Sequence, residues 1–357
     1  FKQKTAYEIR LSLVGSEMCI RDSYFNRLLT HIQANFYTGN FYQSAQAKAR
    51  LDFPGINRFY IEPEATFNGW NFVEGNDIIV KKSNSTILKR IDRKVGAAIG
   101  IPVGRKFRAS LEGYFISNKD EYINRDVLVS SDTLDALTLT GGRYGISLST
   151  NSLNRKQYAS LGKSFFFGLD YFDLRENLIP GTTSALAKTV IPENRRTWLR
   201  GTVIMEQYFN AGIYSSGYYL HGSFSNQPLF DNFQGTIINA PGFFPMQDSR
   251  TLLLQNFRSF NFVAGGWRNV FTVSKKFDFR LEGYLFKPLE AITQGANQAP
   301  ELAGEIKTIF FAGTAGLVMH STIGPISLSV NYYDDKKTQL GVLLHVGFLL
   351  FNKASLE

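Results

Sequence analysis

The chain of 357 residues holds a single cysteine, Cys19, and none from Tyr24 onward. Over that stretch, disulfide frameworks, Cys-ligated zinc and thiol nucleophiles are excluded. No run of 18 apolar residues occurs, so no transmembrane helix is predicted. The longest apolar stretches are interrupted every few residues by a polar side chain. A serine hydrolase of the nucleophile-elbow type needs Gly-x-Ser-x-Gly, a strained turn that presents the serine hydroxyl to an ester carbonyl. That motif is missing: Gly145–Ile146–Ser147–Leu148–Ser149 lacks the second glycine and falls in a predicted strand. The chain also lacks any Asp-Gly dipeptide, dinucleotide-binding glycine motif or P-loop. No catalytic, cofactor-binding or metal-ligating residue is predicted, and no cofactor.

Prolines number only 11, while glycines number 31 and aromatics make up 14%. With a mean hydropathy of −0.14, this composition suits a barrel that is apolar outside and polar inside. The net charge of +9 could suggest nucleic acid. However, the basic residues are scattered as pairs at predicted strand ends: Lys81–Lys82, Arg195–Arg196, Lys275–Lys276 and Lys336–Lys337. No basic helix or zinc module accompanies them, so nucleic acid is not a predicted partner. Outer-leaflet lipid phosphates, lipopolysaccharide included, or an anion-attracting lumen fit this charge better.

The last hairpin, Pro325–Asn352, shows the pattern on which the chain is built. Ile326, Leu328 and Val330 alternate with Ser327, Ser329 and Asn331; on the return arm Val342, Leu344, Val346, Phe348 and Leu350 share one face. A period of two is a β-strand. Arms of about ten residues match a tilted strand crossing a bilayer. Upstream, the same pattern predicts strands from Leu28 to Ser321, giving about fourteen in all. Alternate connections are tight: Pro54–Gly55, Pro102–Arg105, Asn151–Arg155, Ala211–Gly212, Ser274–Lys276 and Thr322–Gly324. Most of the others are long: Glu74–Ser85, Asn118–Asp135, Leu174–Asn194, Ser225–Gln255 and Thr293–Gly304, with Gly39–Asn40 and Asp334–Gln339 as short exceptions. Short periplasmic turns and long external loops are the outer-membrane pattern. The predicted fold is all-β, a transmembrane antiparallel up-and-down barrel.

Two segments are near copies, Lys106–Ser117 (KFRASLEGYFIS) and Lys276–Lys287 (KFDFRLEGYLFK). Their charges fall on alternate positions. A charge facing lipid at the midplane costs about 2–4 kcal/mol for Lys or Arg, so Arg280 and Glu282 are predicted to pair inside the lumen. Tyr218, Tyr219, Tyr332, Tyr333, Trp198 and Trp267 read as interfacial girdle residues. His221 and Ser223 share a strand face, which leaves a Ser–His lipase on the lipid-facing wall as one alternative. Packing at the interface or in the lumen is the plainer reading for His31, His221, His320 and His345.

The first residues differ in kind. Lys2–Ile9 (KQKTAYEI) and Leu13–Ser23 (LVGSEMCIRDS) resemble the translation of the two halves of a sequencing-library adapter, in order and in frame. Residues 1–23 are therefore expected to be an artefact, with the native barrel domain spanning residues 24–357 and further domains lost upstream.

Phe257–Pro288 and Gly324–Asn352 resemble the C-terminal barrel of patatin-like phospholipases from Bacteroidota, within the bacterial surface antigen superfamily of assembly and secretion barrels. The resemblance is concentrated in roughly the last hundred residues. It implies a barrel of sixteen strands, of which about fourteen are visible, and an upstream patatin hydrolase and linker. It also implies an outer-membrane location, a translocator or anchor role, and barrel assembly machinery that reads the last strand. The superfamily's Arg-Gly-aromatic loop tip is absent; Leu199–Arg200–Gly201 lies on a predicted strand. A stand-alone porin or lipid channel is the other alternative.

Overall fold

The computed structural model describes residues 7–12, 15–25, 29–39, 42–53, 58–72, 88–123, 132–274, 276–305, 307–322, 324–335, 340–348 and 351–357. Among the described residues there are eighteen strands. They are β1 (Tyr7–Ser12), β2 (Gly15–Phe25), β3 (Leu29–Gly39), β4 (Tyr42–Phe53), β5 (Phe59–Phe72), β6 (Leu88–Val103), β7 (Phe107–Tyr122), β8 (Asp135–Asn151) and β9 (Gly162–Ile179), followed by β10 (Asn194–Ala211), β11 (Tyr214–Ser225), β12 (Phe262–Ser274), β13 (Phe277–Pro288), β14 (Glu290–Gln294), β15 (Pro300–Glu305), β16 (Phe310–Ser321), β17 (Gly324–Tyr333) and β18 (Leu340–Val346). Sixteen of them form one antiparallel sheet in chain order; β14 and β15 make a separate hairpin between β13 and β16. The sheet's two end strands, β1 and β18, lie beside each other. The fourteen sheet strands from β3 onward form an up-and-down sheet of the predicted kind. β1 and β2 run through residues 7–25, almost all of it the adapter-like stretch.

The predicted alternation sets inside from outside. On β7, Leu111 and Phe115 are each 58% exposed, whereas Ser110, Tyr114, Ile116, Asn118 and Asp120 are buried. β13 repeats this in the same phase: Leu281 and Leu285 face out, and Asp278, Arg280, Tyr284 and Phe286 face in. The two near-copy segments thus occupy equivalent places on the wall. Strands β6 to β10 run 16 to 18 residues. About 9–11 suffice to cross a bilayer, so this side of the barrel projects beyond the hydrocarbon layer. No helix is long and apolar enough to cross a membrane.

The turns at 104–106, 212–213 and around Thr322 are tight, as predicted. Four segments differ from the sequence reading here, and the first is Thr293–Gly304, predicted as a loop, which carries much of the β14–β15 hairpin. Asn151–Arg155 is not a short turn: β8 ends at Asn151 and β9 begins only at Gly162, and the ten residues between fold inward. β9 continues to Ile179, so the loop expected over Leu174–Asn194 is confined to residues 180–193. The last strand does not run to Asn352. It stops at Val346, where Gly347 takes a φ of 91°, a left-handed value that suits glycine and turns the chain out of the ladder. The predicted Pro54–Gly55 turn, the Glu74–Ser85 loop, Lys81–Lys82, and parts of Gly39–Asn40, Asn118–Asp135 and Asp334–Gln339 lie outside the described residues.

An arginine on the outer face tests this inside-out assignment. Leu281→Arg should destabilise the inserted barrel by about 2–4 kcal/mol, measured by urea titration in lipid vesicles. An Arg variant as stable as Leu281→Ala would show that this face does not meet lipid.

Candidate functional site in the filled lumen

The longest connection, residues 226–261 between β11 and β12, was expected outside the barrel. It folds into it instead. Its composition explains why: Phe230, Ile237, Ile238, Phe243, Leu252, Leu253, Leu254, Phe257 and Phe260 are all buried, and an external loop could not shelter them. A short helix, α1 (Phe233–Asn239), starts the inward path, with Asn232 capping the backbone N–H groups of Gln234 and Gly235. Gly235 is required for close approach, because a Cβ there would lie 2.7 Å from Leu137 Cδ2. At the far end of α1, Asn239 enters the buried pair Arg90–Asp120. Its Oδ1 accepts from Arg90 Nη2 at 2.7 Å and Asn118 Nδ2 at 2.9 Å, and its Nδ2 donates to Asp120 Oδ2 at 2.8 Å. Arg196 fastens the loop's entrance by bridging Glu176 and Asp231 at 2.6 and 2.7 Å.

The two arms of the loop are tied together. Phe243 N donates to Phe257 O, Ser259 N to Pro241 O, and Arg258 Nη1 to the carbonyls of Ile238 and Ala240. The tip packs its aromatic residues on Phe262, Tyr284, Phe286 and Tyr333 of the wall. Asp248 accepts from Asn331 Nδ2 at 2.8 Å and from Tyr333 Oη, both on β17. Burial pushes the Asp248 carboxyl above its ordinary range against the pull of these two donors. Burial also pushes Arg258 down to about 9, with Arg90 adding to the push and Glu357 and Asp120 opposing it.

Residues 351–357 form a second internal segment. Asn352 donates to Tyr42 Oη and Ser44 Oγ, and Ser355 donates to Asp92 from both backbone and hydroxyl. Arg143 Nη1 reaches the Ser355 carbonyl at 3.3 Å. Glu357 meets Arg250 of the loop at 2.7 Å, joining the two internal segments. Burial works against the Glu357 carboxylate, but Arg250 outweighs it and holds the group below its ordinary value.

From the short-turn end, the 152–161 loop closes on a charged wall. Arg155 pairs with Asp278 at 3.0 Å, Tyr158 Oη meets Ser327 Oγ at 2.8 Å, and Arg280 Nη1 donates to Ala159 O at 2.9 Å. Arg280 and Glu282 do pair, at 2.8 Å, inside the lumen. Arg268 extends the network to Glu206 and Tyr284. Cavities of about 180 Å³ and 190 Å³ remain between the inserted segments and the wall.

The singled-out histidines have structural surroundings. His320 Nε2 lies 2.6 Å from Asp278, and His345 is buried beside Ser327. His31 is half-buried on β3. His221 and Ser223 face inward, not toward lipid, and are not hydrogen-bonded to each other; His221 Nδ1 and Ser223 Oγ have no partner among the described residues. Trp198, Tyr219 and Tyr333, read as girdle residues, also point inward. Trp198 stacks on Phe172 at 4.7 Å, and the Arg268 guanidinium lies 4.6 Å from the Tyr219 ring centre. Trp267 and Tyr332 do face out. Arg200 lies on β10 and faces the lumen. The sequence reading missed the internal role of 226–261, and its signal is a high apolar content without a period of two.

No protein-family model matches this chain, and no curated protein does. Solved structures do. The crystal structure of BamA from Haemophilus ducreyi lacking POTRA domains 1–3 aligns with a TM-score of 0.61 at 11% identity, over 97% of this chain and 70% of that one. CdiB from Acinetobacter baumannii aligns with a TM-score of 0.46 at 10% identity, over 95% of this chain and 59% of that one. At such identities the likeness is one of fold.

Two outcomes test the internal anchors. Asp248→Ala orphans Asn331 and Tyr333, each at a cost of about 1–3 kcal/mol. It should speed protease cleavage within 226–261 while the barrel still shows heat-modifiable migration on a gel. For Glu357, a folded-state value below the ordinary 4.5 means that its stabilising contribution is complete above that pH and is lost as pH falls through the folded value. Protection of 351–357 against hydrogen exchange should therefore drop on acidification below about pH 4.5 in the native chain. That pH dependence should be absent in Glu357→Gln.

Proposed function

We propose that this chain is the outer-membrane translocator or anchor domain of a larger patatin-like lipid hydrolase. The observation that carries the anchor reading is a sixteen-strand barrel whose interior is occupied by its own 226–261 loop and 351–357 segment. A closed ladder satisfies backbone polar groups in lipid, and a filled lumen suits a membrane holder better than a passive pore. The likeness in fold to BamA supports an outer-membrane β-barrel. The patatin connection rests on the resemblance of Phe257–Pro288 and Gly324–Asn352. In this reading the partners are outer-membrane lipid and lipopolysaccharide, the barrel assembly machinery acting on the last strand, and an upstream hydrolase domain. The Ser–His lipase alternative is disfavoured, because His221 and Ser223 face the lumen and are not hydrogen-bonded to each other.

In this reading β1 and β2 hold the place of a native strand pair. Recovering the uninterrupted gene across position 24 tests both parts. The expected result is a different sequence before Tyr24 that encodes a strand pair and, further upstream, Gly-x-Ser-x-Gly with a later Asp-Gly. A gene that contains only a signal peptide and strands would remove the hydrolase. Planar-bilayer recordings test the porin alternative, for which a large steady conductance is the signature; the filled lumen predicts little or none.

A further inference from the structure

The cavity of about 180 Å³ lies where the loop, the 351–357 segment and the wall meet, and its lining is strongly cationic. Half of these six charges have a close carboxylate partner. Arg90 pairs with Asp120, Arg143 with Asp170 at 2.9 Å, and Arg250 with Glu357. Three do not. Arg200 shares Asp170 with Arg143 and comes no nearer to it than 3.9 Å. Arg258 donates to carbonyl oxygens and lies over the Phe244 ring, and Lys353 lies over the Phe166 ring. Arg200 and Arg258 are both more than nine-tenths buried. The Nε atom of each, and Nδ1 of His221 on the same lining, have no hydrogen-bond partner among the described residues. Buried guanidinium groups ordinarily have carboxylate partners, because leaving them unpaired forfeits their hydration.

We infer that this cavity is a binding site for a tetrahedral oxyanion of the phosphate class, held between Arg200 and Arg258. Two buried guanidinium groups with unpartnered Nε atoms, on a lining that sets six cationic side chains against the carboxylates of Asp170 and Glu357, suit an anion. Arginine is the side chain best shaped for bidentate contact with such oxygens. The three segments that supply Arg200, His221 and Arg258 are β10, β11 and the inserted loop, so an occupant would pin the loop to the wall. The space is sufficient, since a cavity of about 150 Å³ already admits benzene. The phosphate could be free or carried as a monoester on a small solute or headgroup. The inference does not depend on the translocator reading.

The test is calorimetric titration of the full chain, folded in detergent in phosphate-free buffer at fixed ionic strength. One arm uses inorganic phosphate and a second uses glycerol phosphate. Saturable binding at one site per chain is expected, together with a higher unfolding temperature than in chloride of equal ionic strength. Saturation by phosphate alone assigns the free ion; saturation by both assigns a monoester-accepting site. In Arg258→Gln and Arg200→Gln, each checked for folding by heat-modifiable migration, affinity should fall at least tenfold. Absence of saturable binding by the native chain in both arms overturns the inference, whether or not the variants fold. So does undiminished affinity in folded variants.

Discussion

The backbone ladder governs the rest of this structure. In a bilayer no water completes an unpaired N–H or C=O, so each strand has to hydrogen-bond to its neighbours along its length. Sixteen antiparallel strands pair in this way with their neighbours in chain order, and the period of two then assigns side chains to lipid or to lumen. The outward half is apolar, as in Leu111, Phe115 and Leu281. The inward half therefore carries the charge. Arg90, Arg143, Arg200, Arg268 and Arg280 share an interior with Asp92, Asp120, Asp170, Asp278 and Glu282, and an interior so charged needs internal partners. Much of what fills the lumen can be understood as meeting that requirement: Asn239 for Arg90 and Asp120, Ser355 for Asp92, and the Ala159 carbonyl for Arg280.

How much of this was legible follows from which interactions are local. Strand periodicity is local, and fourteen strands could be read from it. The lumenal Arg280–Glu282 pair could be read as well, because the two residues lie two apart on one strand face. Contacts across the lumen are not local. Nothing near Asp248 announces Asn331 and Tyr333, and nothing near Ser355 announces Asp92. The aromatic assignments failed for the same reason. Trp198 and Tyr333 sit near strand ends, as girdle residues do, but their alternation phase turns them inward, where the loop covers them. The turn at Asn151–Arg155 was misread because Tyr158 and Ala159 look like the start of a strand, whereas they serve as partners for Ser327 and Arg280.

β1 and β2 show the opposite property of the same ladder. They pair with each other and with β3 through main-chain groups that every residue possesses. Main-chain pairing asks little of sequence, so an adapter-like segment can stand beside β3. Strand pairing at this edge is therefore weak testimony about origin, whereas the side-chain code of β7 and β13 is strong.

The Arg250–Glu357 contact gives the barrel a mechanical linkage. The 351–357 segment continues from β18, and the loop tip is held on β17 by Asp248, so the loop is tied twice to the last hairpin. That hairpin forms one side of the seam between the sheet's first and last strands. The loop and the 351–357 segment thereby join the two ends of the chain's last hairpin to the interior as one connected unit.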